Sequence, residues 1–468
     1  MTPTAPSGEA YPAGVPVAYD SGVRRLEGGQ VLLGGDPGRL VRLRPAAAAA
    51  LASLGTGVPV APAVLALART LVDGGLLHPR PVPSDAGDVT VVVPVRDRAK
   101  DLDRCLSALG TGGPVVVVDD GSLHPAAVAD VCHRHCARLV VRSASGGPAA
   151  ARNEGLLTVA TDLVAFVDSD CVPPPGWLGE LAGHFADPQV GAVAPRVRGS
   201  AGGSLLSRYS CERGPLDLGP HKSAVRPGGR VPYVPTAALL VRMQALAPGP
   251  FDAALRYGED VDLVWRLADA GWRIRYDPRT VVAHREPDRW PAWLTRRHRY
   301  GTSAAPLAAR HGTRLAPLVV APLPGLAWLL LVAGRPLPAL AVAAVPAARL
   351  QARLRRAGLR PATSAREAVV AVARGVVSTG NGLGGAGSVL TAPLLLGLLA
   401  GRRARRAAAT ALVAPPLLDW AARRPPIDPV RWCGLRVADD LAYASGVWRG
   451  CWTSRSLAAL RPRTSRPR

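Results

Sequence analysis

The sequence is poor in lysine, in aromatic residues and in cysteine. Lys100 and Lys222 are its two lysines among 57 basic residues, although the formal net charge is +23. Aromatic residues make up 4% of the chain, so the arginines lack the interleaved stacking side chains that single-strand nucleic-acid binding requires. Seven scattered cysteines give no disulfide framework. We therefore expect no nucleic-acid partner and a reducing environment for the soluble part of the chain.

The N-terminal residues and one cysteine- and histidine-rich run bear on targeting and on metal binding. The N-terminal residues show no charged segment followed by an apolar one, so we expect no signal peptide. The run Cys132-His133-Arg134-His135-Cys136 contains zinc-ligand residue types on a predicted helix. Because no second ligand pair accompanies this run, a partly buried helix surface is favoured and a zinc site is the alternative.

The length of 468 residues predicts two or three folding units. We assign an N-terminal domain to residues 1–83, a catalytic domain to 84–310 and a helical region to 311–468. In the first domain, strands are predicted near Val31–Gly35 and Leu40–Leu43, helices at 46–54 and 58–74, and a closing strand at Leu76–Pro79. This layout resembles the winged-helix peptide-binding domain of pyrroloquinoline quinone biosynthesis. The resemblance implies peptide binding along Val31–Leu43, and a capping domain is the alternative.

From Val89 onward, short Val-rich runs alternate with helical segments. The predicted strands are Val89–Val95, Val115–Asp119, Leu139–Arg142 and Leu163–Val167, and the helices between them are Arg98–Gly110, Pro125–Cys136 and Pro148–Ala160. Continuous apolar runs of this length are typical of strands that are buried on both faces of a parallel sheet. The alternation predicts a doubly wound α/β sheet whose ligands bind at the carboxyl ends of the strands.

The region after residue 310 contains uncharged runs bordered by arginines. Residues 315–334 carry no charge, and twenty helical residues at about 1.5 Å each would cross the hydrocarbon core of a membrane. Further runs cover 336–348 and 375–401, and residues 349–468 hold 21 arginines against five acidic residues. These features predict transmembrane helices and a cell-membrane location with the catalytic domain facing the cytoplasm. Helices packed on the soluble domain are the alternative, since prolines interrupt the first run.

Four acid-bearing motifs follow predicted strands or open a predicted helix. They are Pro94–Arg98, Asp119–Ser122, Asp168–Asp170 and Gly258–Asp260. A carboxylate at such a strand end can accept hydrogen bonds from a base or a ribose. Two carboxylates at positions i and i+2 can reach one hard cation, which a diphosphate needs for charge neutralisation. Each motif alone is common, but their order and spacing together favour a nucleotide-sugar site.

These motifs, with Ala151–Gly155 and Glu259–Leu263, resemble inverting glycosyltransferases of family 2, which have the GT-A fold, over residues 89–300. The resemblance implies a GT-A-type mixed α/β sheet and nucleotide-sugar contacts from Pro94, Arg96, Asp97, Asp120, Arg152 and Asp168. It implies Mn²⁺ or Mg²⁺ held by Asp170, Asp168 and His284, and a catalytic pair of Asp260, the general base, and Glu259. Arg96 departs from the family, in which an aromatic residue is more common.

The segments Arg299–Ala305 and Arg436–Tyr443, with the small N-terminal domain, further resemble glycosyltransferases of the mycofactocin system. That resemblance implies glucose transfer from a UDP-linked donor to a peptide-derived redox cofactor or its precursor. A lipid-linked or cell-wall glycan acceptor is the alternative for an enzyme. A non-catalytic peptide-binding scaffold is the alternative of another class. A nucleotidyltransferase is disfavoured because no glycine-rich phosphate loop with a lysine follows the first strand.

Overall fold

The structure is a computed structural model. It describes residues 2–6, 8, 10–52, 60–85, 89–110, 112–200, 202–247, 249–315, 319–320, 322–332, 334–373, 375, 389, 395–399 and 401–464. The chain forms two compact units, Met1–Glu286 and Pro287–Arg468.

The first part of the Met1–Glu286 unit is a small α+β arrangement. Its elements are β1 (Val17–Tyr19), β2 (Arg24–Leu26), β3 (Val31–Gly34), β4 (Arg39–Arg42), α1 (Pro45–Ala52), α2 (Leu65–Asp73) and β5 (Leu77–Pro79). Strands β2, β3 and β4 form an antiparallel sheet, and β1 pairs with β5. The helix predicted at 58–74 begins at Leu65, because Pro62 starts a short 3₁₀ turn before it. The start of that predicted helix lies outside the described residues.

The rest of this unit surrounds a nine-stranded mixed sheet. The strands are β6 (Val89–Val95), β7 (Val115–Asp119), β8 (Arg138–Val141), β9 (Leu163–Val167), β10 (Cys171–Val172), β11 (Val190–Gly199), β12 (Ser223–Val225), β13 (Ala238–Arg242) and β14 (Arg273–His284). Their order is β10-β14-β11-β13-β9-β6-β7-β8, and β12 pairs with β14. Strands β8, β7, β6 and β9 are parallel, while β13 runs antiparallel to both of its neighbours. This is the mixed α/β sheet that the resemblance implied.

Six helices connect these strands. They are α3 (Ala99–Leu109), α4 (Pro125–Arg134), α5 (Pro148–Leu156), α6 (Trp177–Ala182), α7 (Leu205–Arg213) and α8 (Glu259–Asp269). Strand β6 is almost entirely buried, as its run of valines predicted. Helix α5 lies close to the sheet because Gly155 has no side chain, and a Cβ there would meet Val92 and Val118. The carboxyl ends of β6, β7 and β9 therefore come together beside the first turn of α5.

The cysteine- and histidine-rich run predicted on a helix has a different geometry. Helix α4 ends at Arg134, and Cys136 takes a positive φ of 52°, so Cys132 and Cys136 do not share a helical face. Cys132 is buried, Cys136 is exposed, and His135 pairs with Asp103 at 2.9 Å. Within the described ranges, no group of three His, Cys, Asp or Glu side chains is arranged to hold a metal ion.

The Pro287–Arg468 unit is mainly helical. Its named elements are α9 (Trp290–Thr302), α10 (Ala304–His311), β15 (Val319–Val320), α11 (Pro322–Val332), α12 (Pro336–Arg356), α13 (Arg402–Arg423), α14 (Pro429–Thr453) and β16 (Arg463–Thr464). Residues 361–373 are also helical. Helices α9 and α14 pack along each other, and the buried Arg297 donates to Asp439 at 3.0 Å across their interface.

The prediction of a transmembrane helix is wrong for the part of the chain that the structure describes. None of the helices there is both long and apolar enough to cross a membrane. The uncharged run 315–334 yields α11, which begins at Pro322 and has 11 residues. Helix α12 is longer, but four arginines, Arg349, Arg353, Arg355 and Arg356, occupy its second half. Most of the third run, 375–401, lies outside the described residues.

Candidate active site

The first cluster of predicted site residues surrounds the carboxylate of Asp120, at the end of β7. This carboxylate accepts hydrogen bonds from the backbone N–H groups of Gly146 and Gly147 at 3.0 and 2.8 Å. The Ser145 hydroxyl donates to it at 2.8 Å, and Arg142 forms an ion pair with it. Burial favours the neutral acid, but these donors outweigh burial and lower the pKa of Asp120. Asp120 therefore ties the end of β7 to the loop before α5.

Gly121 allows the loop after β7 to approach the loop before α5 closely. Its φ of +74° is in the left-handed region, and a Cβ there would lie 3.0 Å from the backbone nitrogen of Ser145. Arg96 donates to the Ser145 hydroxyl at 2.9 Å, so the end of β6 joins the same cluster. Asp97 accepts from the N–H of Leu123 at 2.6 Å. The structure thus brings Arg96, Asp97 and Asp120 to one edge of the sheet, as predicted from their strand-end positions, while Pro94 lies within β6.

The second cluster is centred on Arg152 in α5, which is 3% exposed. Its guanidinium donates to Asp168, after β9, at 2.7 Å and to Glu259, at the start of α8, at 2.8 Å. It also lies over the ring of Phe251, 5.6 Å from the centroid. Burial opposes its charge, but the two carboxylates outweigh burial and raise the pKa of Arg152. The Arg152 guanidinium thus holds in place two predicted site acids, Asp168 and Glu259, from distant parts of the sequence.

Asp260 follows Glu259 in the first turn of α8, and Gly258 precedes both with φ +84°. The side chain of Asp260 accepts from the N–H of Val261 at 2.8 Å. Desolvation is the main cause that raises the pKa of Asp260, to about 7, and the adjacent charge of Glu259 adds to it. A carboxylate whose pKa lies near neutrality is well suited to accept a proton from a substrate.

The third cluster contains Asp170 and His284. The Nε2 atom of His284, at the end of β14, lies 3.4 Å from Asp170 Oδ1, and its Nδ1 lies 3.1 Å from Glu286. Arg98 forms an ion pair with the other oxygen of Asp170. Burial lowers the pKa of His284, but Asp170 and Glu286 outweigh burial and raise it to about 10. The antiparallel pairing of β10 with β14 places Cys171 opposite His284 and so produces this contact.

The fit of these residues to a divalent cation follows from their donor types. Asp170 supplies an oxygen, and His284 supplies a nitrogen beside it once the imidazole has lost its Nε2 proton; Mn²⁺ accepts both donor types. Asp168, the third predicted ligand, instead places one oxygen on Arg152. In the described part of the chain, no three His, Cys, Asp or Glu side chains already surround one metal position. The donor chemistry therefore fits, with two of the three predicted ligands together.

Several residues in these clusters were not among the predicted site residues. Arg98 belongs to the Pro94–Arg98 motif, but its position in that motif does not indicate an ion pair with Asp170. Glu286 lies two residues after His284, and an acid at that spacing was a usable signal. Arg142 and Ser145 reach Asp120 only because the loop between β8 and α5 folds back over β7. No sequence pattern marks that contact.

Comparison with known proteins identifies the family. The sequence profile described as Glycosyl transferase family 2 matches residues 90–245. Pre-mycofactocin glycosyltransferase of Mycobacterium tuberculosis (strain ATCC 25618 / H37Rv) is 42% identical over 467 residues, which covers 96% of this chain and 98% of that protein. The chain belongs to glycosyltransferase family 2. The protein is therefore a glycosyltransferase, and its mixed sheet is of the GT-A type.

More distant similarities cover less of the chain. Glycosyltransferase AglE of Haloferax volcanii is 25% identical over 210 residues, which is 42% of this chain and 66% of that protein. Among solved structures, the mannosyltransferase PcManGT from Pyrobaculum calidifontis, in complex with GDP-Man and Mn²⁺, aligns with a TM-score of 0.38 at 22% identity. That alignment covers 64% of this chain and 89% of PcManGT.

Proposed function

We propose that this glycosyltransferase moves glucose from a UDP-linked donor to a hydroxyl group of a peptide-derived redox cofactor or its precursor. The proposed acceptor is supported by the relative that is 42% identical over nearly the whole chain and is named for pre-mycofactocin. The observation that carries the proposed chemistry is the contact of Arg152 with both Asp168 and Glu259, because it sets Asp260 beside the strand ends where the donor would bind.

The proposed reaction is a single in-line displacement with inversion at the anomeric carbon. The bond from that carbon to the donor phosphate breaks, and the nucleoside diphosphate leaves with the electron pair. A bond to the acceptor oxygen forms, and the proton of the acceptor hydroxyl passes to the carboxylate of Asp260. Glu259 acts through Asp260, since its charge raises the pKa of that neighbour, and it is therefore a positioning residue.

Arg152 has a structural part in this scheme. Two of its nitrogens are occupied by Asp168 and Glu259, and it holds the end of β9 against the first turn of α8. A direct contact of Arg152 with the donor stays a prediction. The partly exposed Asp168, with one oxygen on Arg152, is proposed to contact the donor.

Asp170 and His284 would hold a divalent cation, Mn²⁺ or Mg²⁺. When bound, the cation would neutralise charge that develops on the leaving diphosphate. Glu286 would orient the imidazole through Nδ1, which leaves Nε2 directed at Asp170. The carboxylate of Asp120 already accepts four donors from the protein, so we propose that it shapes the nucleotide pocket by fixing the 142–147 loop.

The experiment that tests this function uses the purified full chain with radiolabelled UDP-glucose, UDP-galactose and GDP-mannose. Each donor is incubated with the peptide-derived cofactor precursor, with a lipid-linked glycan acceptor, or with neither. Glucosylation of the precursor that stops when EDTA is added is the expected result. Transfer to the lipid-linked acceptor alone would replace the proposed acceptor, and transfer that persists in EDTA would remove the cation from the scheme.

A further inference from the structure

Asp170 lies between two side chains, His284 and Arg98, that differ in exposure. The side chain of His284 is 4% exposed, and Glu286 holds its other nitrogen at 3.1 Å. The side chain of Arg98, by contrast, is 45% exposed. Of these two partners, Arg98 can therefore leave Asp170 and return to water at the smaller cost in lost contacts.

A divalent cation on Asp170 could not share the carboxylate with a guanidinium at contact distance. Like charges so close together repel strongly, and the 8% exposure of the Asp170 side chain leaves little water to screen them. Binding of the cation therefore requires Arg98 to move. In the structure, the guanidinium of Arg98 pairs with the Asp170 carboxylate to which the cation would bind.

The position of Arg98 in the chain limits where its side chain can go. Arg98 is the third residue after the end of β6 and the last residue before α3. Its backbone is thus fixed at the edge of the sheet that also holds Asp97 and the Asp120 loop. The diphosphate of a donor bound to a cation on Asp170 would lie within the reach of this side chain. A guanidinium suits that group, because its planar fork can donate to two phosphate oxygens at once.

We propose that Arg98 is a donor-positioning residue that holds Asp170 until a divalent cation replaces it there, and that then binds the diphosphate of the donor. This inference rests on the proposed function, since it requires both a cation and a nucleotide-sugar. The Arg98 side chain then has two opposite effects on binding. Arg98 weakens binding of the cation alone, and it strengthens binding of the nucleotide in the presence of the cation.

The test compares Arg98→Ala and Arg98→Lys with Arg104→Ala in the full chain. Arg104 is a matched control, because it is an arginine on α3 with 52% side-chain exposure that pairs with Asp101 and not with Asp170. Binding of Mn²⁺ alone is measured by electron paramagnetic resonance. Binding of a nucleoside diphosphate in the presence of Mn²⁺ is measured by calorimetry, with whichever of UDP, GDP, ADP and TDP binds the wild type most tightly. Thermal unfolding verifies that each variant is folded.

We expect Arg98→Ala to bind Mn²⁺ alone about three- to tenfold more tightly than the wild type, as removal of a half-exposed ion pair predicts. The same variant should bind the nucleoside diphosphate about tenfold more weakly in the presence of Mn²⁺, because a charge-assisted contact is lost. In both measurements, the affinity of Arg98→Lys should lie between those of the wild type and Arg98→Ala, and Arg104→Ala should match the wild type.

The outcomes separate this inference from the proposed function. If the wild type binds Mn²⁺ and Arg98→Ala binds it equally well, the role of Arg98 on Asp170 is overturned while the cation stays in the scheme. If nucleotide binding is unchanged in Arg98→Ala, the contact with the diphosphate is overturned. A wild type that transfers sugar in EDTA and binds no Mn²⁺ overturns the cation proposal and, with it, the inference about Arg98.

Discussion

Asparagine substitutions near the two ends of α8 test whether Asp260 is the base. Asp260→Asn keeps the size of the side chain but cannot accept the proton, so we expect the rate of transfer to fall about 10²- to 10⁴-fold. Donor affinity should stay nearly unchanged, as measured by calorimetry. Asp269→Asn, at the exposed end of the same helix, is the control and should keep full activity. Normal transfer by Asp260→Asn would remove Asp260 from the base role.

The raised pKa of Asp260 predicts the dependence of activity on pH. Its acid form cannot accept a proton, and the pKa is raised to about 7, so kcat/KM should fall about tenfold for each pH unit below 7. The charge of Glu259 contributes to this shift. Glu259→Gln should therefore move the acid limb of the profile to lower pH, although desolvation keeps part of the shift. A limb at the same pH in both proteins would show that Glu259 does not act on Asp260.

At the scale of elements, the packing of α9 against α14 depends on glycine. A Cβ at Gly446 would overlap the carbonyl oxygen of His298, and a Cβ at Gly301 would overlap that of Tyr443. The two backbones therefore touch where glycines face each other. The buried pair Arg297–Asp439 crosses the same interface and fixes the register of the helices.

This packing predicts opposite results for two substitutions in α14. Gly446→Ala should destabilise the protein by about 1–3 kcal/mol or more, because the helices must separate to admit the methyl group. Gly434→Ala is the control, since a Cβ at Gly434 meets nothing within 4 Å. Alanine there should be neutral or stabilising by up to about 1 kcal/mol through its higher helix propensity. Chemical denaturation measures both, and equal stability of the two variants would contradict the close approach.

At the scale of the whole Met1–Glu286 unit, ion pairs tie the N-terminal residues to the catalytic sheet. Arg69 in α2 makes two hydrogen bonds to the buried Asp187, at 2.7 and 3.0 Å. Arg273 in β14 pairs with Asp73 through two bonds of 2.7 Å. Strand β14 also carries His284, so the strand that holds this proposed ligand is anchored by the N-terminal residues. Peptide binding along Val31–Leu43 stays a prediction.

Breaking one of these pairs should destabilise the unit. Arg69→Met leaves the Asp187 carboxylate buried without its main partner, which costs about 3–5 kcal/mol in comparable buried pairs. Arg80→Met is the control, because Arg80 is exposed in the same part of the chain. We expect the midpoint of thermal unfolding of Arg69→Met to lie clearly below that of the wild type. The midpoint of Arg80→Met should be almost unchanged. Equal midpoints would show that the pair contributes nothing to the fold.

The catalytic sheet was largely predictable, because its signal is local. Buried Val-rich runs separated by helical segments predict strands, and the strands β6, β7 and β9 have the predicted bounds. The apolar region after residue 310 was harder to interpret. Composition predicted transmembrane helices there, but hydropathy summed over a run does not record where prolines and arginines divide it into shorter helices.

The sequence by itself determined the enzyme family and the acids at the strand ends, since those depend on the order of short local motifs. Only the tertiary structure decided what each acid contacts. In the folded chain, Asp168 and Glu259 contact Arg152, and Asp170 contacts Arg98 and His284. The reason is physical. The charge and pKa of a carboxylate depend on the partners and burial that the fold supplies, and those partners lie as many as 114 positions away in the chain, between Asp170 and His284. For the same reason, the near-neutral pKa of Asp260 is a property of the folded site and not of its motif.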